Sequence, residues 1–470
     1  MLNYFPKYFT TKAITLYLVV LIVVNILFFN RMLPVMWWVF GIAEVVSFFY
    51  FSNILTRNWG NYSPKLFTKK LFTTALVIRL AWVVFSFFFY KIMTGQPFEF
   101  STGDAKGYHD LAVWLYKTDS LSEIWTKLVD FQRGGVSDTG YAFYLILLYR
   151  IFGEGLFLPR LLKALLSALV CVFIYRLGAR NFGEAVGRMA SIFCMLMPNL
   201  IYYSGLHLKE AEMVFLTVWF VERADFLIRN KKYSFLTILP TLLIASSLFF
   251  FRTVLGITAL FALFTTLMFS SKRILSWSKR VVMTIWVIVT VVYFIGGRIA
   301  NEVEGIWQAR VSNQASSLEW RAKREGGNTL ATKASSAVFA PLILVIPFPT
   351  IVNTPGQENQ QLLNGGNYVK NIMAFFVMFA LFWIIKENKW RDYLLIGSFT
   401  LGYLIVIALS AFAQSERFHQ PALPFLLLFA AFGISKMSNN EKKYFKWYMA
   451  FIFVAIVGWS WFKLAGRGLA

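Results

Sequence analysis

"AITLYLVVLIVVNILFFN", residues 13–30, is followed after three residues by "PVMWWVFGIAEVVSFFYFSN", residues 34–53. Each run matches the roughly 20 apolar residues that about 30 Å of bilayer hydrocarbon demands of a helix. The first run alone resembles a cleaved leader, but it is long, a second span follows at once, and no small-residue cleavage pattern separates them. Both therefore read as retained spans. Similar runs recur at 71–92, 157–177, 186–203, 211–228, 234–250, 253–269, 281–297, 368–386, 393–412, 420–436 and 444–462. With 58% hydrophobic residues, 19% aromatics and a mean hydropathy of +0.60, the chain carries more apolar surface than one soluble core can bury. The expected fold is an all-α polytopic membrane protein with about 13 transmembrane helices and short interfacial helices in its outer loops.

The formal net charge is +23. Most of the lysines and arginines sit in small clusters at the ends of apolar runs, so topology and anionic lipid account for the charge and no nucleic-acid partner is expected. Lys7 and Lys12, then Arg57, Lys65, Lys69 and Lys70, then Arg176, Arg180 and Arg188 assign their gaps to the cytoplasm. Clusters around 229–232, 272–280, 386–391 and 436–443 keep the same register. One alternation satisfies them all if Tyr141–Phe152, too short to span, and Ser336–Val352, with Pro341, Pro347 and Pro349, lie at the outer interface as helices or re-entrant pieces. Cys171 and Cys194 fall inside spans, so neither a disulfide framework nor a thiolate metal site is indicated.

In this topology the segments 94–140, 298–335 and 353–369 face outward, as do the short turns around His207 and Glu416. All three histidines, His109, His207 and His419, fall on that face, with most of the carboxylates. Within "STGDAKGYHDLA", residues 101–112, Asp104, Tyr108 and Ala112 recur at four-residue intervals and so share one face of a short helix. Asp104 stands at the start of that helix, where the dipole favours its ionised form. It can accept a proton from a substrate hydroxyl, or it can simply cap the helix. Glu44, inside the second span, is expected to face other helices rather than lipid.

The pattern "GDAKGYHDLA", then "YAFYLILLYRIFGEGLFLPRLLKALLSALVCVFIYRLGARNFG" (141–183), then "MPNLIYYSGLHLKEAEMVFLT" (197–217) resembles the GT-C superfamily of polytopic glycosyltransferases. Protein O-mannosyltransferases and the lipid A aminoarabinose transferase are familiar members. The likeness covers residues 71–227 and returns at "SERFHQPALPFLLLFAAFGI" (415–434). It implies two additional N-terminal helices over 1–70, a transmembrane core over 71–297 with its first outer loop at 93–140, an outer loop over 298–367, and C-terminal helices over 368–470. It also implies transfer of a sugar from a polyprenyl-phosphate or diphosphate donor to a lipid, glycan or protein acceptor at the outer, periplasmic face of a bacterial inner membrane. Where relatives of the protein mannosyltransferases carry paired acids in the first loop, Asp104 here is followed by Ala105.

Such an inverting displacement needs a base for the acceptor hydroxyl, positive charge for the departing phosphate, and a groove for the lipid tail. Asp104 is the first candidate for the base and Glu210 the second. Arg417 is the candidate for the phosphate, because a guanidinium matches phosphate oxygens bidentately. Tyr108, His109, His207, Lys209, Arg252 and His419 are further candidate substrate contacts. No HxxxH or HExxH spacing points to a metal site, and no cofactor is expected, although His109, Asp104 and Asp110 could in principle hold a divalent ion. A lipid-linked glycan polymerase or ligase shares these requirements. A transporter would need charges distributed through the bilayer, and the spans contain few.

Overall fold

Proline opens helix after helix, because its missing N–H falls on a group that a first turn leaves unpaired anyway. Pro6 precedes α1 (Lys7–Leu27), Pro34 precedes α2 (Val35–Asn58), and Pro64 begins α3 (Pro64–Thr94), where the Ser63 hydroxyl also accepts from the Leu66 N–H at 3.4 Å. The computed structural model describes residues 2–101, 103–132, 135–229, 235–270, 340–410 and 412–470, with isolated positions between 271 and 339. Helices α4 (Gly103–Leu115), α5 (Leu121–Phe131) and α6 (Thr139–Phe152) follow α3. Next come α7 (Phe157–Phe182), α8 (Glu184–Leu196), α9 (Pro198–Ser204), α10 (Glu210–Arg229), α11 (Phe235–Phe251) and α12 (Thr253–Phe269). Late in the chain lie α13 (Asn364–Lys386), α14 (Leu394–Ala408), α15 (Leu423–Lys436) and α16 (Lys442–Ala465). No strand occurs among the described residues; Met32 and Val352 form one isolated antiparallel bridge.

Six described helices are long and apolar enough to cross a membrane, and the bent pair α8–α9 makes up to seven. The protein is a helical membrane protein. Apart from 281–297, which lies largely outside the described residues, each expected span falls on one of these helices or on a shorter or more charged one. Large apolar side chains such as Val19, Ile22 and Ile26 of α1 and Val77, Val84 and Phe88 of α3 remain exposed, which is how a surface bathed in lipid reads.

The two N-terminal helices are built into the body. Tyr368 of α13 donates to the Ala13 carbonyl at 2.7 Å, and the Phe9 ring meets Phe445 edge-on at 4.9 Å. Glu44 does face other helices: its carboxylate accepts from the Gly366 N–H at 2.8 Å, near the start of α13. Helices α7 and α8 approach through Gly178 and Gly187; a methyl group on Gly178 would stand 2.7 Å from the Gly187 Cα.

The few charged groups inside the spans are packed into the interior. Arg79 of α3 and Lys163 of α7 are fully buried. Arg79 has a structural task. Pro198 offers no N–H, and Met197 before it is extended, at ψ 114°, so the chain bends by 52° between α8 and α9 and the last carbonyls of α8 lose their helical partners. Arg79 donates to two of them, Cys194 at 3.1 Å and Met195 at 3.3 Å, and to the Ser167 hydroxyl at 2.6 Å.

The stretch 340–352 is not a long helix. After a short 3-10 turn (Ala340–Leu342) it runs irregularly, with Val345, Ile346, Phe348, Ile351 and Val352 buried. Its Pro347 carbonyl accepts from Asn371 of α13 at 3.0 Å, in keeping with irregular backbone being tolerated where protein encloses it.

The described basic clusters gather at one end of the bundle; the lysines and arginines at 272–280 lie outside the described residues. Arg188 donates to the Trp59 and Gly60 carbonyls at 3.0 and 2.9 Å, Arg180 pairs with Asp225 at 2.8 Å and Glu222 at 2.6 Å, and Lys436 pairs with Glu387 at 3.0 Å. Helices α4 to α6 lie at the other end around a small core of their own that includes Leu111, Leu115, Ile124, Leu128, Leu145 and Ile146.

Candidate functional site

Asp104, Glu210 and Arg417 come from three distant parts of the chain and meet in one ion triad. Asp104 lies in the first turn of α4, Glu210 opens α10, and Arg417 sits in the short helix Glu416–His419 ahead of α15. The Arg417 Nη1 donates to Asp104 Oδ2 and its Nε to Glu210 Oε1. Exposure divides the roles: the Asp104 side chain is 63% exposed, Arg417 19% and Glu210 0%. Glu210 therefore anchors the guanidinium from below, while Asp104 stands at the mouth. Burial opposes the charge on Arg417, but Glu210 and Asp104 outweigh it and hold the guanidinium further above its ordinary value.

Arg252, just ahead of α12, lays its guanidinium over the Phe418 ring at 4.4 Å. Lys209 is buried and paired with Asp138, the residue before α6, and it also donates to the Phe251 carbonyl at 3.3 Å. Tyr108 packs edge-on against Tyr141 at 5.0 Å, with the Lys209 ammonium 5.8 Å from its ring centre. Tyr108, Lys209 and Arg252 thus flank the triad.

His109 and His207 form a second group joined to this one through the same helices. Tyr149 of α6 bridges them: its hydroxyl lies 2.9 Å from His109 Nδ1 and 3.5 Å from His207 Nε2. His207 is wholly buried, and its Nδ1 makes no hydrogen bond among the described residues. Burial, reinforced by Lys163, Arg160 and His109, keeps this imidazole neutral, well below its ordinary value. Burial likewise lowers His109, against the opposing pull of Glu154 and Asp110.

His419 takes a different place. Its Nδ1 accepts from the Lys370 ammonium at 2.7 Å and its Nε2 donates to the Ala413 carbonyl at 2.9 Å, so both ring nitrogens are used in the interior. Two residues on from Arg417, it is turned by about 200° around the helix axis.

The structure adds residues that no motif marks. Glu99, in the turn before α4, is buried beside Arg160, and its carboxyl is pushed up to about 7, first by burial, with Arg160 and Arg417 opposing. Arg160 donates to the Pro97 carbonyl and has no acceptor for Nε or Nη1 among the described residues. Lys163 holds the Leu206 carbonyl at 2.9 Å and lies 3.6 Å from Glu212, which secures the turn carrying His207 and Lys209. Charge inside a span is the signal that could have found Arg160 and Lys163. Glu99 offered none.

Among the described residues no cluster of three or more metal-ligating side chains occurs. What the site offers is a solvent-reachable carboxylate, a buried carboxylate and two arginines, within a wall of tyrosines and histidines. No protein-family model matches this chain, and no curated protein matches it.

Proposed function

We propose that this protein is a membrane glycosyltransferase that moves a sugar from a polyprenyl-phosphate-linked donor to an acceptor hydroxyl at the outer face of the membrane. One observation carries the reading: Asp104, Glu210 and Arg417, 313 and 207 residues apart in their two pairings, converge on a single point at one end of a bundle whose basic clusters occupy the other. The positive-inside rule then makes the basic end cytoplasmic and the triad periplasmic. The shorter apolar helices α11, α12, α14 and α15, and the more charged α10, bring the described spans to twelve, which, tilted or in a locally thin bilayer, surround the same site; the run 281–297, largely outside the described residues, would be the thirteenth.

In the transfer, the acceptor oxygen attacks the anomeric carbon while its proton passes to the exposed Asp104 carboxylate. The bond from that carbon to the phosphate oxygen breaks, and the electron pair stays with the lipid phosphate. Arg417, fixed from behind by Glu210, takes up the developing charge with a preorganised fork. Glu210 is a positioning residue in this scheme, because its buried carboxylate has no open path to an acceptor.

A lipid-linked glycan polymerase or ligase would use the same parts on a longer donor. The bend at α8–α9 is the feature that favours a transporter, since transporters place broken helices at their sites. Here Arg79 occupies the freed carbonyls itself, which makes the bend a fixed joint.

The test is incubation of the full chain in lipid with a panel of polyprenyl-phosphate and polyprenyl-diphosphate sugars, following release of the lipid phosphate. Release with at least one donor is expected. Inertness toward every donor, with and without added acceptor lipids and glycans, contradicts the reading.

A further inference from the structure

The cations around the triad are not equally committed. Arg417 serves two carboxylates, and Lys209 is neutralised by Asp138. Arg252 has no carboxylate within ion-pair distance among the described residues. It is nevertheless held in place. Its guanidinium lies over Phe418, the neighbour of Arg417 in sequence, with the Tyr403 hydroxyl close by. Tyr403 in turn donates to the Phe418 carbonyl at 3.0 Å. Stacking uses the face of a guanidinium and leaves its in-plane N–H groups at the edge, which is where an oxyanion binds. The charges of Arg417 and Arg252 both act on Glu210, so the two forks address one locality. Arg252 also stands at the first turn of α12, the positive end of that helix.

A sugar linked through one phosphate presents a single negative charge, and Arg417 with its preset fork is enough for it. A second arginine, stacked on Phe418 and with no carboxylate at ion-pair distance among the described residues, has no use with such a donor. The geometry points to a donor linked through a diphosphate, with Arg417 taking the phosphate bonded to the sugar and Arg252 the phosphate bonded to the lipid. This inference rests on the donor reading above and narrows it to one class of lipid. During transfer the bond between the anomeric carbon and the first phosphate breaks, and the extra negative charge on the departing lipid diphosphate is shared between the two arginines.

The experiment measures binding of farnesyl phosphate and farnesyl diphosphate to the full chain in nanodiscs. A charge-assisted hydrogen bond contributes about 1.5–3 kcal/mol, so the diphosphate should bind roughly tenfold tighter or more. Arg252→Gln should erase that preference by weakening the diphosphate far more than the monophosphate, and Arg252→Lys, which keeps the charge, should retain part of it. Arg417→Ala should weaken both lipids. Equal binding of the two lipids by the native protein, or an undiminished preference in Arg252→Gln, overturns the diphosphate assignment and leaves the donor reading standing. Binding of neither lipid removes both.

Discussion

Glu99 sits in the turn between α3 and α4 with its carboxyl buried, where an ion costs more than a neutral acid. The folded protein keeps it protonated up to about 7, whereas an unperturbed carboxyl titrates near 4.5. Between those limits the native state holds a proton that the unfolded chain has released, so stability falls as pH rises. The contribution is complete below the unfolded value and is lost as pH climbs through the folded one. Glu99→Gln should flatten this dependence: the native protein, measured by thermal unfolding in detergent, loses stability relative to the variant between pH 5 and pH 8. Identical pH profiles for the two would show that Glu99 is not held protonated. Nothing in the sequence marked this residue, because one glutamate among "QPFEF" has no period and no partner in its neighbourhood. Its burial comes from helices arriving from elsewhere. His419 shows the limit of proximity in sequence: two residues from Arg417, it is turned by helical rotation toward Lys370.

Helices were the legible level of this protein, since an apolar run of spanning length declares itself whatever it packs against. The joints between them were not. The apolar stretch 186–203 reads as one span, and only Met197–Pro198 hints at the break. What stabilises that break is Arg79, whose acceptors are backbone carbonyls 115 and 116 residues away, a partnership invisible to any side-chain motif. Removing it should be costly. Arg79→Met leaves the Cys194 and Met195 carbonyls and the Ser167 hydroxyl short of a donor, at about 1–3 kcal/mol per orphaned group. Adding Pro198→Ala restores an N–H at the position that reaches Cys194, so the double variant should recover part of the loss. Melting temperatures of the two variants in detergent test this: a native-like Arg79→Met, or a double variant with strictly additive losses, would show that Arg79 does not secure the bend.

Across the whole molecule, charge is sorted to two ends, arginines bridging loops at one and the Asp104–Arg417–Glu210 triad at the other. The sorting was legible from lysine and arginine clusters, and the residue types of the triad were legible from a local motif, a turn and a helix start. Their meeting was not, because it depends on how α4, α10 and α15 are stacked by an interior of phenylalanines and leucines that carries no positional code. The roles proposed for the triad are unequal: Asp104 receives the acceptor proton and Glu210 holds Arg417. The most direct measurement is the turnover of Asp104→Asn, a change that keeps the size of the side chain and removes its negative charge. A general base contributes on the order of 10²–10⁴ in rate, so turnover should fall at least about a hundredfold while thermal stability and the protein's ability to bind its lipid-linked donor are retained. Full activity in Asp104→Asn, with activity lost in Glu210→Gln, would contradict the assignment and place the base at the start of α10.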